Sequence, residues 1–357
     1  MPRALRLAQR NRPLPPPSQK TDPPLGHTPP FSYLCPSNPS NSICIKSLHS
    51  LLLIFFLLVA SCSAPDLSNN WRFSDDVYAA VDETFQPIVE EVLDAFRKQH
   101  VEADDHVLYI NEDSAFRLLL MDSVRCIVAT RKVTDEERKI IASTPDHLGV
   151  EQALVATDAL ALITNAANTD TLISVDDLRD IVSGKITRWE QLRHATRKGE
   201  LSLVFDASGS STVRYMRDSL NNGCDLKGNL YAQGSNDSVI AIVKRNPDVI
   251  GVIGANWLKQ PGQPVITDFS QLDIHVLKVT SDTDENPIGF RPYQYRIATG
   301  EYPLIRSVYV ISTDPRKDSN VRLFYFYLKG QKGQTIICNS SQLLPYSPVQ
   351  VKPISVR

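Results

Sequence analysis

Cysteine, histidine and methionine are scarce in this sequence, and their spacing excludes more than their number does. The 357 residues hold six cysteines, seven histidines and three methionines. No two cysteines form a CxxC pair and no two histidines stand at HxH or HExxH spacing, so no metal site is expected. Past Cys62 only Cys126, Cys224 and Cys338 remain, an odd and widely spaced set that gives no disulfide framework. Cys126, within VRCIVAT, reads as a small buried apolar residue. The lysine of a P-loop and the spacing of a GxSxG elbow are also missing. Basic charge is short as well. The first 61 residues take six of the 38 Lys and Arg and one of the 40 acids, leaving 32 basic against 39 acidic side chains and a net charge of −7. Such a surface argues against nucleic acid or an anionic membrane face as partner, so any anion site has to be local.

Those first 61 residues read as separate from the fold. They contain 11 of the 24 prolines and no apolar periodicity before Leu51. LLLIFFLLVA, Leu51 to Ala60, follows Lys46 and His49 and precedes Ser61 and Cys62, the layout of a secretory signal with a small-residue cleavage site. It falls short of the about 20 apolar residues of a spanning helix. Val59-Ala60-Ser61-Cys62 resembles a bacterial lipobox, which implies that Cys62 is lipidated and becomes the new N-terminus. Residues 1–45 are then either untranslated, with the start at a non-Met codon between Ile43 and Leu48, or a disordered leader.

Beyond a tether over 62–73, strands and helices alternate. PIVEEVLDAFRKQH sets Ile88, Val89, Val92, Leu93 and Phe96 on one helical face, and HVLYIN is a short strand. SAFRLLLMD, VRCIVAT and TDEERKIIA continue as helix, strand and helix, the last with acids in its first turn. After the strand ALVATDALALIT, Ser174 and Asp177 form a capping box and Gly184 stops the helix that follows. LSLVFD is a strand, STVRYMRDSL a helix, NDSVIAIVKR a helix ended near Asn246-Pro247, and LIRSVYVIST a strand. SNVRLFYFYLKGQKGQTII closes the chain as a long helix with a break at Gly330 or Gly333. The alternation predicts an α/β fold with a mostly parallel sheet.

The stretch DASGSST stands between a strand and a helix. A glycine and hydroxyl-rich turn at a helix N-terminus offers unpaired backbone N–H groups beside short donors, which can cradle an anion or merely cap the helix. DETFQP, Asp82 to Pro87, and NEDSAF, Asn111 to Phe116, repeat the arrangement, so three helix N-termini can converge on one cleft at the carboxyl ends of strands.

From about Ser74 to Tyr346 the chain resembles the phosphate-binding proteins of bacterial ABC transporters, within the type II periplasmic binding protein class. ETFQP is similar to that family's first loop. LALITNAANTDTLISVDDLRDIVSGKITRWEQL resembles its long asparagine-turn and helix stretch, and DASGSST its GSGT loop. NPDVIGVIG, YPLIRSVYVIST and FYLKGQKGQTIICNSSQLLP are similar to its return strand, crossing and C-terminal tail. The resemblance implies a two-lobed Venus-flytrap fold, each lobe a mostly parallel sheet flanked by helices. Lobe 1 would take 74–155 and 290–346, lobe 2 would take 156–285, and 347–357 would form a tail. It also implies a monomeric, metal-free and cofactor-free substrate-binding lipoprotein, not an enzyme, on the periplasmic side of a bacterial envelope. Its partners would be phosphate or a related oxyanion and ABC permease subunits. Carried over by position, Thr84, Phe85, Ser114, Ser210, Ser211 and Thr212 would donate to the anion. The family's arginine before GSGT is matched here by Asp206, and its aspartate by Arg131, so these two charges are expected in exchanged roles, or as an ion pair closing the cleft. A sensor or partner-binding lipoprotein on the same fold is the alternative. A hydrolase using Ser210 or Ser211 would need a base, and no histidine motif supplies one.

Overall fold

The computed structural model describes residues 5–6, 75–102, 104–259, 268–282, 284 and 287–348. The apolar run, Cys62 and the tether lie outside them. No helix among the described residues is long and apolar enough to cross a membrane.

Apart from the two-residue strand Leu5–Arg6, which pairs at the sheet edge with Tyr231 and Ala232, the fold starts with β1 (Val77–Asp82), nearly all of it buried, as suits a parallel strand covered on both faces. Helix α1 (Gln86–Arg97) carries Pro87 in its first turn, where the missing N–H costs nothing. It buries the five residues that the periodicity picks out: Ile88, Val89, Val92, Leu93 and Phe96. Strand β2 (Asp105–Ile110) feeds α2 (Glu112–Leu120), capped by the Asn111 side chain, which accepts from the Ser114 N–H. Strand β3 (Cys126–Ala129) leads to α3 (Asp135–Ala142). There the acids of the first turn belong to a complete capping box of Thr134 and Glu137.

Strand β4 (Glu151–Asn165) is 15 residues long and crosses from one half of the molecule to the other. Next come the short strand β5 (Leu172–Ser174) and α4 (Val175–Val182), started by the Ser174–Asp177 capping box and stopped by Gly184 at φ 81°. Strand β6 (Ser202–Phe205) enters α5 (Ser211–Tyr215), which widens into a π turn over Met216–Leu220 instead of continuing as a regular α-helix. Strand β7 (Leu230–Ala232), α6 (Asn236–Arg245), β8 (Val249–Gly254), β9 (Ile274–Val276) and β10 (Lys278–Thr280) complete this half. After α7 (Gln294–Ala298), β11 (Ile305–Ser312) returns beside β4. The final helical stretch breaks at Gly330 into α8 (Asn320–Lys329) and α9 (Gln331–Ser340). Gly333 serves a different need, since a Cβ there would stand 2.3 Å from the Tyr327 carbonyl oxygen.

The main sheet runs in the order β7-β6-β8-β4-β11-β3-β1-β2. Strand β1 pairs parallel with β2 and β3, and β6 pairs parallel with β7 and β8. The long pair β4 and β11 is antiparallel, to each other and to β8 and β3, and joins the two parallel triplets. Each triplet has its own core. Phe85, Phe96, Val128, Val310 and Phe324 pack on one face of the first triplet, with Phe116, Leu119, Ile127 and Ile141 on the other. Leu162, Trp189, Phe205, Met216 and Ile253 fill the second core. Ile297, Tyr302 and Leu304 join that second core, and the returning chain enters the first one at Val308. Two lobes joined by two crossing strands therefore place the carboxyl ends of β1, β2, β3, β6 and β8 around one seam.

Candidate functional site

Each parallel strand ends where its backbone leaves the sheet, so the next residues face the seam. From the first lobe β1 delivers Asp82, Glu83, Thr84 and Phe85. Asp82 Oδ1 accepts from the Thr84 N–H at 3.0 Å, fixing a tight 3-10 turn, and Thr84 and Phe85 are buried. From the second lobe β6 delivers Asp206 and the loop to Thr212, with Ser210 capping α5 by accepting from the Val213 N–H at 3.3 Å.

These loops meet. Thr212 donates to Asp206 Oδ1 at 2.5 Å, and Ser210 and Thr212 share a hydroxyl contact at 2.7 Å. Thr84 Oγ1 and Asn236 Nδ2 each reach Asp206 Oδ2 at 3.5 Å. The Asp206 carboxylate thus occupies the hydroxyl cradle itself, and burial raises its pKa against the pull of those hydroxyls and of Arg306. The Thr84 carbonyl accepts from Asn256 Nδ2 at 2.7 Å and Trp257 Nε1 at 2.8 Å, both just past β8. Gly254 is required at the end of β8, because a Cβ would lie 2.4 Å from the Thr84 methyl.

Further polar contacts cross the seam. Glu83 accepts from the Asn236 N–H at 3.2 Å and from its side-chain amide at 2.5 Å; burial pushes Glu83 up to about 7 despite those bonds. Asp113 N–H donates to the Gly209 carbonyl at 3.2 Å, which brings the N-terminus of α2, with Asn111 and Ser114, against the DASG turn. Arg214 donates through Nε to Glu112 Oε2 at 2.5 Å and through Nη2 to Thr130 at 2.6 Å. Burial opposes the charge of Glu112, but Arg214 and the two Thr130 donors outweigh it and hold the carboxyl below its ordinary range.

Arg131 is not brought to Asp206. Its guanidinium forms a two-pronged pair with Glu137 at 2.7 and 2.8 Å and lies 3.4 Å from the centroid of the Phe116 ring, because the α3 capping box turns Glu137 back toward the strand end. The cation at the cradle is Arg306, from β11. Its Nε donates to Asp158 Oδ2 on β4 at 2.9 Å and its Nη1 to Ser211 Oγ at 2.8 Å, with Phe85 5.5 Å away. Position-by-position reading missed this pair, although the signal was there. ALVATDALALIT and LIRSVYVIST each carry one charge in an apolar strand, and Arg306 and Asp158 are partners in the β4–β11 register. Two lone charges of opposite sign in strands too apolar to leave them unpaired call for one another.

Asp82, the first residue of the DETFQP loop, is a further seam group outside the expected set of site residues. Burial first, then Glu112 and Asp206, push it up to about 7 against the pull of Arg306. The seam thus gathers hydroxyls and one fixed guanidinium beside carboxyl groups whose burial favours the protonated form.

The chain is similar to known proteins in sequence and in fold. A sequence model for the PBP superfamily domain matches residues 68–326. Phosphate-binding protein PstS of Staphylococcus epidermidis is 22% identical over 240 residues, covering 67% of this chain and 69% of that protein. PstS of Bacillus subtilis is 23% identical over 312 residues, covering 84% and 94%. Among solved structures, an ABC-type phosphate transport receptor from Vibrio cholerae superposes with a TM-score of 0.52 at 18% identity, over 74% of this chain and 97% of that one. A phosphate-binding protein from Stenotrophomonas maltophilia superposes with a TM-score of 0.58 at 14% identity, over 77% and 91%.

Proposed function

We propose that this chain, which belongs to the PBP superfamily and has its two-lobed α/β fold, is a substrate-binding protein that captures phosphate or a similar tetrahedral oxyanion between its lobes. In this reading it works as a monomer, passes the anion to an ABC permease and catalyses no reaction. The observation that carries the reading is the meeting of Thr84–Phe85 and Ser210–Thr212, two strand-to-helix loops from opposite lobes, at one buried guanidinium. Backbone N–H groups and hydroxyls at helix starts, plus a fixed cation, are what a tetrahedral oxyanion needs. Ser114, at the start of α2, spends its N–H on the Asn111 cap, so its hydroxyl is the further donor in this reading. The curated relatives carry phosphate binding in their names, which supports the same ligand class.

Isothermal titration of the purified chain with phosphate, arsenate, sulfate and a phosphonate tests the proposal. Phosphate or arsenate is expected to bind, to raise the melting temperature with concentration and to compact the protein in small-angle scattering. An unchanged profile with every oxyanion at millimolar concentration favours a sensor or partner-binding protein. The contacts that already bridge the lobes, Arg214 with Glu112 and Glu83 with Asn236, are the observation on that side.

We also infer that Cys62 anchors the protein by lipid on the periplasmic side of a bacterial envelope, from the apolar run and the Val59-Ala60-Ser61-Cys62 sequence. Metabolic labelling with a fatty acid is expected to mark the wild type and to be lost in Cys62→Ser. Label kept by that variant refutes the anchor.

A further inference from the structure

Three of the hydroxyls expected at an anion site, those of Thr84, Ser210 and Thr212, already have a carboxyl group of the protein as their partner. Thr212 donates to Asp206 Oδ1 at 2.5 Å, and Thr84 Oγ1 donates to Oδ2 at 3.5 Å. Asn236 Nδ2 also reaches Oδ2 at 3.5 Å, while Ser210 and the Ala207 N–H favour the ionised form. Both oxygens of Asp206 are thus met, one of them by a donor from the other lobe, and the residue is only 1% exposed. A carboxylate and a tetrahedral oxyanion ask for the same surroundings, several N–H and O–H donors converging on oxygens that share negative charge. A hydroxyl has one proton to give, so an anion that takes the Thr84 or Thr212 hydroxyl has to take it from Asp206.

Charge leads to the same place as geometry. Arg306 works for the ionised form of Asp206, and Asp158 holds the same guanidinium from behind at 2.9 Å, so one positive charge stands between two carboxyl groups. A second anion brought into the cradle beside Asp206 meets a like charge at close range in a region closed to water, where such repulsion is largest.

We propose that Asp206 is a built-in surrogate for the oxyanion, a tethered carboxylate that fills the cradle and has to swing out before phosphate or a similar anion can enter. It rests on the oxyanion reading above and adds the regulation of that site. The Asp206 carbonyl accepts from the Gln233 and Gly234 N–H groups, at 2.9 and 2.6 Å, so its backbone is pinned and the side chain alone has to turn. The fraction of molecules with the side chain turned out then sets the apparent affinity, which falls in proportion to it. Other bridges between the lobes, Arg214 with Glu112 and Lys259 with Glu91, do not involve Asp206, so the seam is held together without it.

Titration of the full-length chain, Asp206→Ala and Asp206→Asn with inorganic phosphate tests the surrogate, together with melting curves in sodium acetate against sodium chloride at equal ionic strength. Asp206→Ala empties the cradle and is expected to bind phosphate at least about tenfold tighter than the wild type, the gain from removing a competitor that holds the site roughly nine-tenths of the time or more. A residue needed only for structure gives the opposite result, since its loss weakens binding. Acetate, a free carboxylate that fits the space of the lost side chain, is expected to raise the melting temperature of Asp206→Ala, to leave that of the wild type unchanged and to compete with phosphate for the variant. If Asp206→Ala does not fold, Asp206→Asn keeps the shape and the Thr212 bond, removes the charge and is expected to gain phosphate affinity as well. Equal or weaker phosphate binding in the folded variants overturns the surrogate, and the oxyanion reading stands if the wild type binds. Phosphate bound by the variants and not by the wild type upholds the surrogate and withdraws the transport reading from the native chain. No phosphate binding by any of the three overturns both.

Discussion

Asp158→Ala should lower the unfolding free energy by about 3–5 kcal/mol, the cost of leaving one member of a buried ion pair without its partner. Asp158 and Arg306 are 0% and 4% exposed at their side chains and bond at 2.9 Å across the β4–β11 register. With Asp158 gone, the Arg306 Nε–H loses its only acceptor in a place that water does not reach, and the guanidinium charge stays. Asp158→Ala/Arg306→Met should recover most of the loss, because two apolar side chains in a buried strand pair carry no desolvation penalty. Urea unfolding of the two single variants and the double variant supplies the cycle. Additive losses in the double variant would show that the two residues are not coupled.

The second large effect is on stability against pH. Burial pushes both Asp82 and Glu83 up to about 7, whereas in an unfolded chain such groups titrate near 4. Between pH 4.5 and 7 the folded protein therefore holds protons that the unfolded chain has released. Stability falls as pH rises through that window, and the loss is complete above about 7. Glu112 has the opposite sign. It is held below its ordinary range, so its contribution is present at neutral pH and is lost only on further acidification, outside the window. The melting temperature at constant ionic strength should thus drop by roughly 5–10 °C between pH 5 and pH 8, on the usual scale of a few degrees per kcal/mol. Asp82→Asn should reduce the slope, because an amide has no proton to lose. A melting temperature that rises over this range would contradict the assignment of raised values to the seam.

The two effects share a cause, since the seam concentrates charge in a region closed to water. Asp82, Glu83, Glu112, Asp158 and Asp206 border it, against Arg214 and Arg306. Relatives with phosphate binding in their names and the same two-lobed fold provide the frame.

The order of strands and helices, the capping boxes at Ser174 and Thr134, the stop at Gly184 and the break at Gly330 were all set by neighbours within a few residues. Local interactions of that kind leave a periodic or positional trace in the sequence. The family resemblance was legible for the same reason, because loops such as ETFQP and DASGSST sit at fixed places between elements. The partner of each charge was not legible. Arg131 lies two residues past β3, where the family's aspartate would stand, yet Glu137 from the next helix claims it. Arg306 lies 148 residues from Asp158 and 95 from Ser211, and only the antiparallel crossing of β4 and β11 brings them together. Sequence by itself determined which residues form strands, which begin helices and which loops are rich in donors. Tertiary structure alone decided which cation serves the cradle and which carboxylates stay partly unsatisfied, because hydrogen-bond partners and desolvation depend on distances that close only when the two lobes are assembled.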